Sequence, residues 1–345
     1  MERSVLAVLA CALAALALWA APAGAATLIV EGAGDGHGVG MSQDGALGYA
    51  EHGWSDAQIL AHYYTGTALG RAPAGATVKV LEGSRVVTVA LERYVRGVVA
   101  AEMPSSWPLA ALEAQAIASR TYALTDHAGG SRFDVYADTR SQVYESPPTT
   151  AAAETAASNA AVAATAGQIV TYAGQPAITY YFASSGGMTE DNENSFLGST
   201  PQPWLRAVPD SYEGASSRWK LELGFAAASA RLRGLVKGSL RGIEVLARGA
   251  SPRIVSAEVL GSRGSTPVSG PELEARLGLQ SAWAYFSVKS GAGIRREPDL
   301  SGRAPFTPVA PEAPPQTAPT PTAQGGAQAP ATAVSSSAAG GARAE

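Results

Sequence analysis

The sequence predicts an α+β chain in which helices pack on small mixed and antiparallel sheets. Three observations carry this. One long segment has apolar residues at helical spacing, several short segments alternate in pairs around glycine turns, and nothing repeats at a fixed period.

The elements follow in order. TLIVEGAG (27–34) reads as a strand entering a glycine-rich loop. Ser55 with Gln58 forms a capping box for a helix from Asp56 to Tyr64, which Gly66 stops. VKVLEG and SRVVTVAL alternate around Gly83 as a hairpin. In LERYVRGVVAAEM (91–103), Leu91, Tyr94, Val95, Val98 and Val99 share one helical face, and Pro104 closes the helix. Pro108 sits at the first position of a second helix. The alanine-rich stretch 150–166 is helical by propensity and ends at Gly167. QIVTY and AITYYFA flank Ala173-Gly174-Gln175-Pro176 as another hairpin. A helix near 225–236, the strand pair GIEVLAR and IVSAEVL, the helix PELEARLGL and the strand AYFSV complete the domain.

The two ends stand apart from this pattern. Residues 1–25 combine Arg3, an apolar run and an Ala23-Gly24-Ala25 cleavage site, so they read as a secretory signal peptide. Left uncleaved, that run would be the chain's membrane contact. From 296 to 345, Pro, Ala, Gly, Ser and Thr replace large apolar residues, and such a tail buries too little surface to order itself. The folded domain is expected over 27–292, in segments 27–70, 77–190 and a second sub-domain, 191–292. The protein is therefore expected to be exported and to work outside the cytoplasm.

Composition excludes some chemistry. Among 345 residues, 25 Lys+Arg stand against 29 Asp+Glu, a net charge of −4, so no basic face for nucleic acid is expected. The one cysteine, Cys11, lies inside the leader, which rules out a disulfide framework and a zinc site built on several thiolates.

Two segments hold more than a fold requires. In GHGVGMSQDGALGYA (36–50), glycines flank His37, which leaves the imidazole few neighbours along the chain and lets it face a cleft or bond at the surface. In VVAAEMPSSWPLAALEAQAIASRTYAL (98–124), Glu102 ends an apolar helix. Apolar neighbours and the negative end of the helix dipole would raise its pKa, as a general acid requires. Pairing with Arg93, Arg96 or Arg120 is the competing reading. Trp107, Tyr180 and Tyr181 are candidate aromatic stacking residues. Strand alternation sends only one of the two tyrosines to a shared face.

These motifs, with DVYADTRSQVY (134–144) and ATAGQIVTYAGQPAITYYFASSGGMTE (164–190), resemble the SpoIID/LytB family. The resemblance implies action on peptidoglycan: lytic transglycosylation of glycan strands by the glutamate of AAEMP, here Glu102. His37, Ser42, Gln43, Arg120, Tyr181, Ser184 and Ser185 would contact substrate, with no cofactor. A non-catalytic factor that stimulates a cell-wall amidase is the alternative. Peptidoglycan glycan strands are the expected partner, with an amidase added in the second case.

Three departures from the family pattern matter. The GHGVGMSQ block precedes the other motifs instead of following them. This reads as a circular permutation and requires the strand at 27–32 to pair near 284–288. Asp138-Thr139-Arg140-Ser141-Gln142 replaces a zinc-binding His/Cys motif, so no metal is expected. Met188 stands where a basic residue usually follows SSGG. Because a transglycosylase uses the muramyl C6 hydroxyl as nucleophile, one carboxyl can serve as acid and then base. Asp35, Asp44, Glu190 and Asp191 are further carboxylates, expected in exposed loops.

Overall fold

A computed structural model describes residues 26–144, 153–213 and 217–301. Residues 1–25, expected to be a signal peptide, the residues beyond 301 and residues 150–152 of the alanine-rich stretch lie outside the described residues.

The chain runs β1 (Thr27–Ala33), β2 (Met41–Ser42), α1 (Gln43–Glu51), α2 (Asp56–Tyr63), β3 (Ala68–Arg71), β4 (Thr77–Glu82), β5 (Arg85–Ala90), α3 (Leu91–Glu102), α4 (Leu109–Thr125) and β6 (Val135–Tyr136). It continues with α5 (Ala156–Ala164), β7 (Gln168–Tyr172), β8 (Gln175–Pro176), β9 (Tyr181–Phe182), α6 (Asn192–Ser195), β10 (Arg218–Gly224) and α7 (Phe225–Arg231). Strands β11 (Leu240–Arg248), β12 (Ile254–Gly261) and β13 (Gly264–Ser269), helix α8 (Gly270–Leu277), and strands β14 (Ala284–Ser290) and β15 (Gly293–Arg296) close the order. Helices on small sheets make the fold α+β.

The expected helices form for the expected reasons. All five apolar residues of the α3 stripe are buried, each contributing about 1.5–3 kcal/mol by leaving water. They face α4, which is buried along most of its length. Ser55 and Gln58 complete the capping box of α2. Pro108 caps α4 from just outside, one position earlier than expected.

Two apolar cores result. One joins 39–64 to α3, α4, α5 and β7, with Met41, Tyr49, Tyr63, Val98 and Ile117 at its centre. The other joins β1 to β10–β14 around Leu28, Val30, Ile243, Val259 and Phe286. Strand β1 lies between β10 and β14, with Thr27 opposite Lys289 and Gly32 opposite Ala284. The pairing of 27–32 with 284–288 therefore forms.

Four segments in particular depart from the sequence reading. The hairpin after β7 ends at Pro176, because Ala173 and Gly174 make a tight turn at positive φ and the chain then leaves the sheet. It carries Tyr181-Phe182 to a parallel pairing with Met41-Ser42 instead. Strands β10 and β13 were not expected, although RWKLELG alternates charged and apolar residues along β10; each completes a sheet begun by its neighbours. The helix near 225–236 is shorter, ending at Arg231.

Candidate active site

The glycine-rich block runs beside the segment 180–190 and is bonded to it repeatedly. Met41 N–H donates to the Tyr180 carbonyl at 3.1 Å, Asp44 N–H to Ala183 at 2.9 Å, and Asp35 and Ser184 exchange backbone bonds at 2.8 and 3.1 Å. Gly40 makes this possible: a Cβ there would stand 2.1 Å from the Tyr180 carbonyl oxygen, and its φ is +78°. This contact brings residues 42–44 to the end of α3, where Glu102 sits.

Glu102 is half-buried, and none of the three arginines considered for it pairs with it. Its Oε1 accepts the Val143 N–H at 2.7 Å and its Oε2 accepts the Gln43 amide at 3.3 Å. Burial raises its pKa, while bonds from Val143, Gln43 and the Tyr181 hydroxyl oppose that rise. The Gln43 amide also reaches Gln115 Oε1 at 3.4 Å, and Gln115 donates to Ser119 at 2.9 Å. Tyr181 donates to Gln142 Oε1 at 2.9 Å, and Gln142 donates to the Tyr94 hydroxyl at 3.1 Å. One carboxyl thus sits in a surround of neutral amides and hydroxyls. That surround permits protonation at a higher pH than an exposed glutamate and still holds the anion when the proton leaves.

The serines of the candidate set converge on a different carboxylate, Glu213. Its Oε2 accepts Ser42 Oγ at 3.0 Å, Ser185 Oγ at 2.6 Å and Ser185 N–H at 2.5 Å. Its Oε1 accepts Ser184 Oγ at 2.6 Å and Gly186 N–H at 2.8 Å. Burial pushes this carboxyl up, but the hydroxyl and backbone donors outweigh burial and hold it below its ordinary range. Next to it lies buried Asp210, pushed up to about 8 by burial and then by the Glu213 charge. Tyr63 donates to Asp210 at 2.9 Å. Sequence reasoning missed both acids, since the loop around 201–213 has no periodicity and few of its residues belong to a quoted motif.

Other candidates take structural places. The Arg120 guanidinium has no exposed surface. It grips Glu92 through two bonds of 2.8 Å and the Ala116, Gln168 and Val162 carbonyls, so it clamps α3 and α5 to α4 and leaves no face for a ligand. His37 packs among Tyr180, Phe182 and Phe196, and its Nδ1 accepts the Val39 N–H at 3.0 Å. Burial, and then the charge of Arg253, push its pKa down to about 4, so it is neutral at pH 7. It lines a cavity of about 370 Å³ with Phe196 and Glu274, and its bonding partners do not include Glu102.

The extra carboxylates divide. Asp35 is exposed and Asp44 half-buried, with the Asp44 pKa raised by burial, then by Glu213 and Asp35. Asp191 is half-buried and accepts the Ala207 N–H at 2.7 Å. Glu190, expected in an exposed loop, is fully buried. It accepts the Ala250 and Ser251 N–H groups and the Ser251 hydroxyl, because 249–251 folds over it. Where Met188 replaces a basic residue, buried Arg253 reaches the same loop from a distant part of the chain, donating to the Met188 carbonyl at 3.1 Å and the Ser185 carbonyl at 3.2 Å.

Comparisons with known proteins find similarity that includes the Glu102 region. The family model for the stage II sporulation protein domain, SpoIID, matches residues 82–172, which include α3, Glu102 and α4. The chain is 30% identical to stage II sporulation protein D of Bacillus subtilis (strain 168) over 212 residues, 57% of this chain and 60% of that protein. It is 27% identical to the protein of that name from Bacillus amyloliquefaciens over 230 residues, 62% of this chain and 65% of that protein. It is 35% identical to the amidase enhancer of Bacillus subtilis (strain 168) over 107 residues, 31% of this chain and 14% of that protein. The chain thus matches less than two thirds of the length of each of these relatives. Residues 82–172 thus match the SpoIID domain, and the chain is similar to stage II sporulation protein D and, over a shorter stretch, to an amidase enhancer.

Proposed function

We propose that this protein acts on peptidoglycan outside the cytoplasm as a lytic transglycosylase, with Glu102 as general acid and then base. The observation that carries the reading is Glu102 itself. It is a half-buried carboxyl with a raised pKa, held by the Val143 N–H and the Gln43 amide, and no arginine among the described residues pairs with it. In the protonated state Glu102 gives its proton to the glycosidic oxygen as the bond to the anomeric carbon breaks. The resulting carboxylate then removes the proton from the muramyl C6 hydroxyl as that oxygen closes on the anomeric carbon. Atoms balance without an activated water, so no second carboxylate is required.

A second reading, a factor that stimulates a cell-wall amidase, is favoured by one observation. Ser42, Ser184 and Ser185 hold Glu213 and so are engaged within the chain. Incubating purified protein with glycan strands, with and without an N-acetylmuramoyl-L-alanine amidase, separates the two. The transglycosylase reading expects glycan cleavage by the protein alone. Release of stem peptides that rises with the protein only when amidase is present, with glycan chains uncut, would replace it with the second.

A further inference from the structure

We infer that Glu213 is a positioning residue for the Glu102 reaction: its carboxylate fastens the 42–44 turn to the 184–186 loop and so sets the Gln43 amide on Glu102. The inference rests on Glu102 being the acid/base group.

Glu213 takes five donors from two segments far apart in sequence. Ser42 comes from the glycine-rich block, while Ser184, Ser185 and Gly186 come from the loop after β9. All five are neutral hydroxyls or backbone amides, and bonds from such donors to an ionised acceptor are short and strong. Ser42 is also bonded on its other side, as its Oγ accepts the Gly45 N–H at 3.0 Å and caps α1. A hydroxyl can donate once and accept as well, so one serine ties the helix start to Glu213.

The next residue is Gln43, the first of α1. Its amide divides between Glu102 Oε2 at 3.3 Å and Gln115 Oε1 at 3.4 Å. Bonds of that length lie near the limit of useful geometry, and a shift of a few tenths of an ångström at α1 removes them. Glu102 then loses a donor that favours its anion, and its pKa rises further. Other elements also face Glu213, and their charges enter any pH dependence: Asp210 and Tyr63 beneath it, Asp44 on α1, and Arg253 behind the loop. Gly45 fits the same scheme, because a Cβ there would stand 2.0 Å from the Tyr63 hydroxyl and 2.3 Å from Asp210 Oδ2. The start of α1 is seated directly on these acids.

The test uses full-length exported protein carrying Glu213→Gln, which keeps the shape and removes the charge. Glu102→Gln and Ser42→Ala accompany it. The Glu102 carboxyl is titrated by carbon-13 NMR, assigned by its absence in Glu102→Gln, and glycan turnover is followed over pH. Glu213→Gln is expected to raise the Glu102 pKa, to move the alkaline limb of kcat upward, and to lower kcat about tenfold with KM within about twofold. Ser42→Ala removes both the link to Glu213 and the cap of α1 while leaving Glu213 charged, and should shift Glu102 the same way, which keeps the test alive if Glu213→Gln does not fold. An unchanged Glu102 titration in folded Glu213→Gln or in Ser42→Ala overturns the inference, as does a loss confined to KM. If the wild type cleaves no glycan, or Glu102→Gln cleaves as well as wild type, the acid/base reading fails. The NMR titration still reports on the clamp.

Discussion

Glu102 depends on few partners, and this makes it testable one side chain at a time. Gln43→Ala removes a donor to the carboxylate, so the Glu102 pKa should rise and the alkaline limb of activity should move to higher pH. The sign follows because the acid form is the one that starts the reaction, and activity falls as pH passes the pKa of Glu102 in the folded protein. One neutral amide bond is worth about 0.5–1.5 kcal/mol, so the shift should be about one pH unit or less, read from a pH–rate profile. An unmoved limb would show that Gln43 does not act on Glu102. At this scale the motifs named Glu102, Gln43 and Tyr181, and the fold brings these three side chains together. The sequence reading failed where a polar side chain's partner comes from a remote loop. Ser184 and Ser185 lie in a hydroxyl-rich loop that suits sugar, and nothing nearby in sequence announces that Glu213 takes them. Arg120 lies in a family motif, yet its whole charge is spent on Glu92 and carbonyls.

At the scale of elements, α1 is placed by the absence of side chains as much as by their presence. Gly45 and Gly48 both sit inside the helix, where alanine would gain about 1 kcal/mol each in propensity. At Gly48 a Cβ would stand 2.2 Å from the Tyr212 carbonyl, and at Gly45 it would meet Tyr63 and Asp210. Gly45→Ala should therefore destabilise the protein despite the helical gain, by about 1–3 kcal/mol, seen as a lower Tm by calorimetry. A higher Tm would mean that α1 has room to move off the acids. Helices α2, α3 and α4 were readable because caps and apolar spacing are local signals. Strand β10 carries a local signal that the sequence reading passed over, since Trp219, Leu221 and Leu223 alternate with Arg218, Lys220 and Glu222, whereas β13 does not alternate and takes its place from the free edge of β12. The apolar run 177–182 alternates like a strand, but only Tyr181-Phe182 pair, because Gly40 offers them a close backbone.

For the whole molecule, β1 belongs to the second core while the block that follows it belongs to the first. The early position of the GHGVGMSQ block pointed to this pairing of β1 with β14, and it is the long-range feature that sequence order made legible. The buried acids give the molecule a pH signature. Asp210 has a folded pKa of about 8 against an ordinary value of 3.8. Its contribution to stability is therefore complete below the ordinary value, falls as pH rises from there toward 8, and is flat above. Asp210→Asn should lessen the decline in stability across that window, as followed by urea unfolding at several pH values. An identical pH dependence in wild type and variant would show that Asp210 ionises normally.

The most direct measurement is mass spectrometry of glycan strands lacking stem peptides, incubated with the purified protein and with Glu102→Gln. Fragments ending in 1,6-anhydromuramyl residues, from the wild type alone, are the predicted result. Fragments with free reducing ends would show that water is the nucleophile. They would contradict the single-carboxyl mechanism and call for a second acid. Anhydromuramyl products from Glu102→Gln at the wild-type rate would contradict the assignment of Glu102 itself.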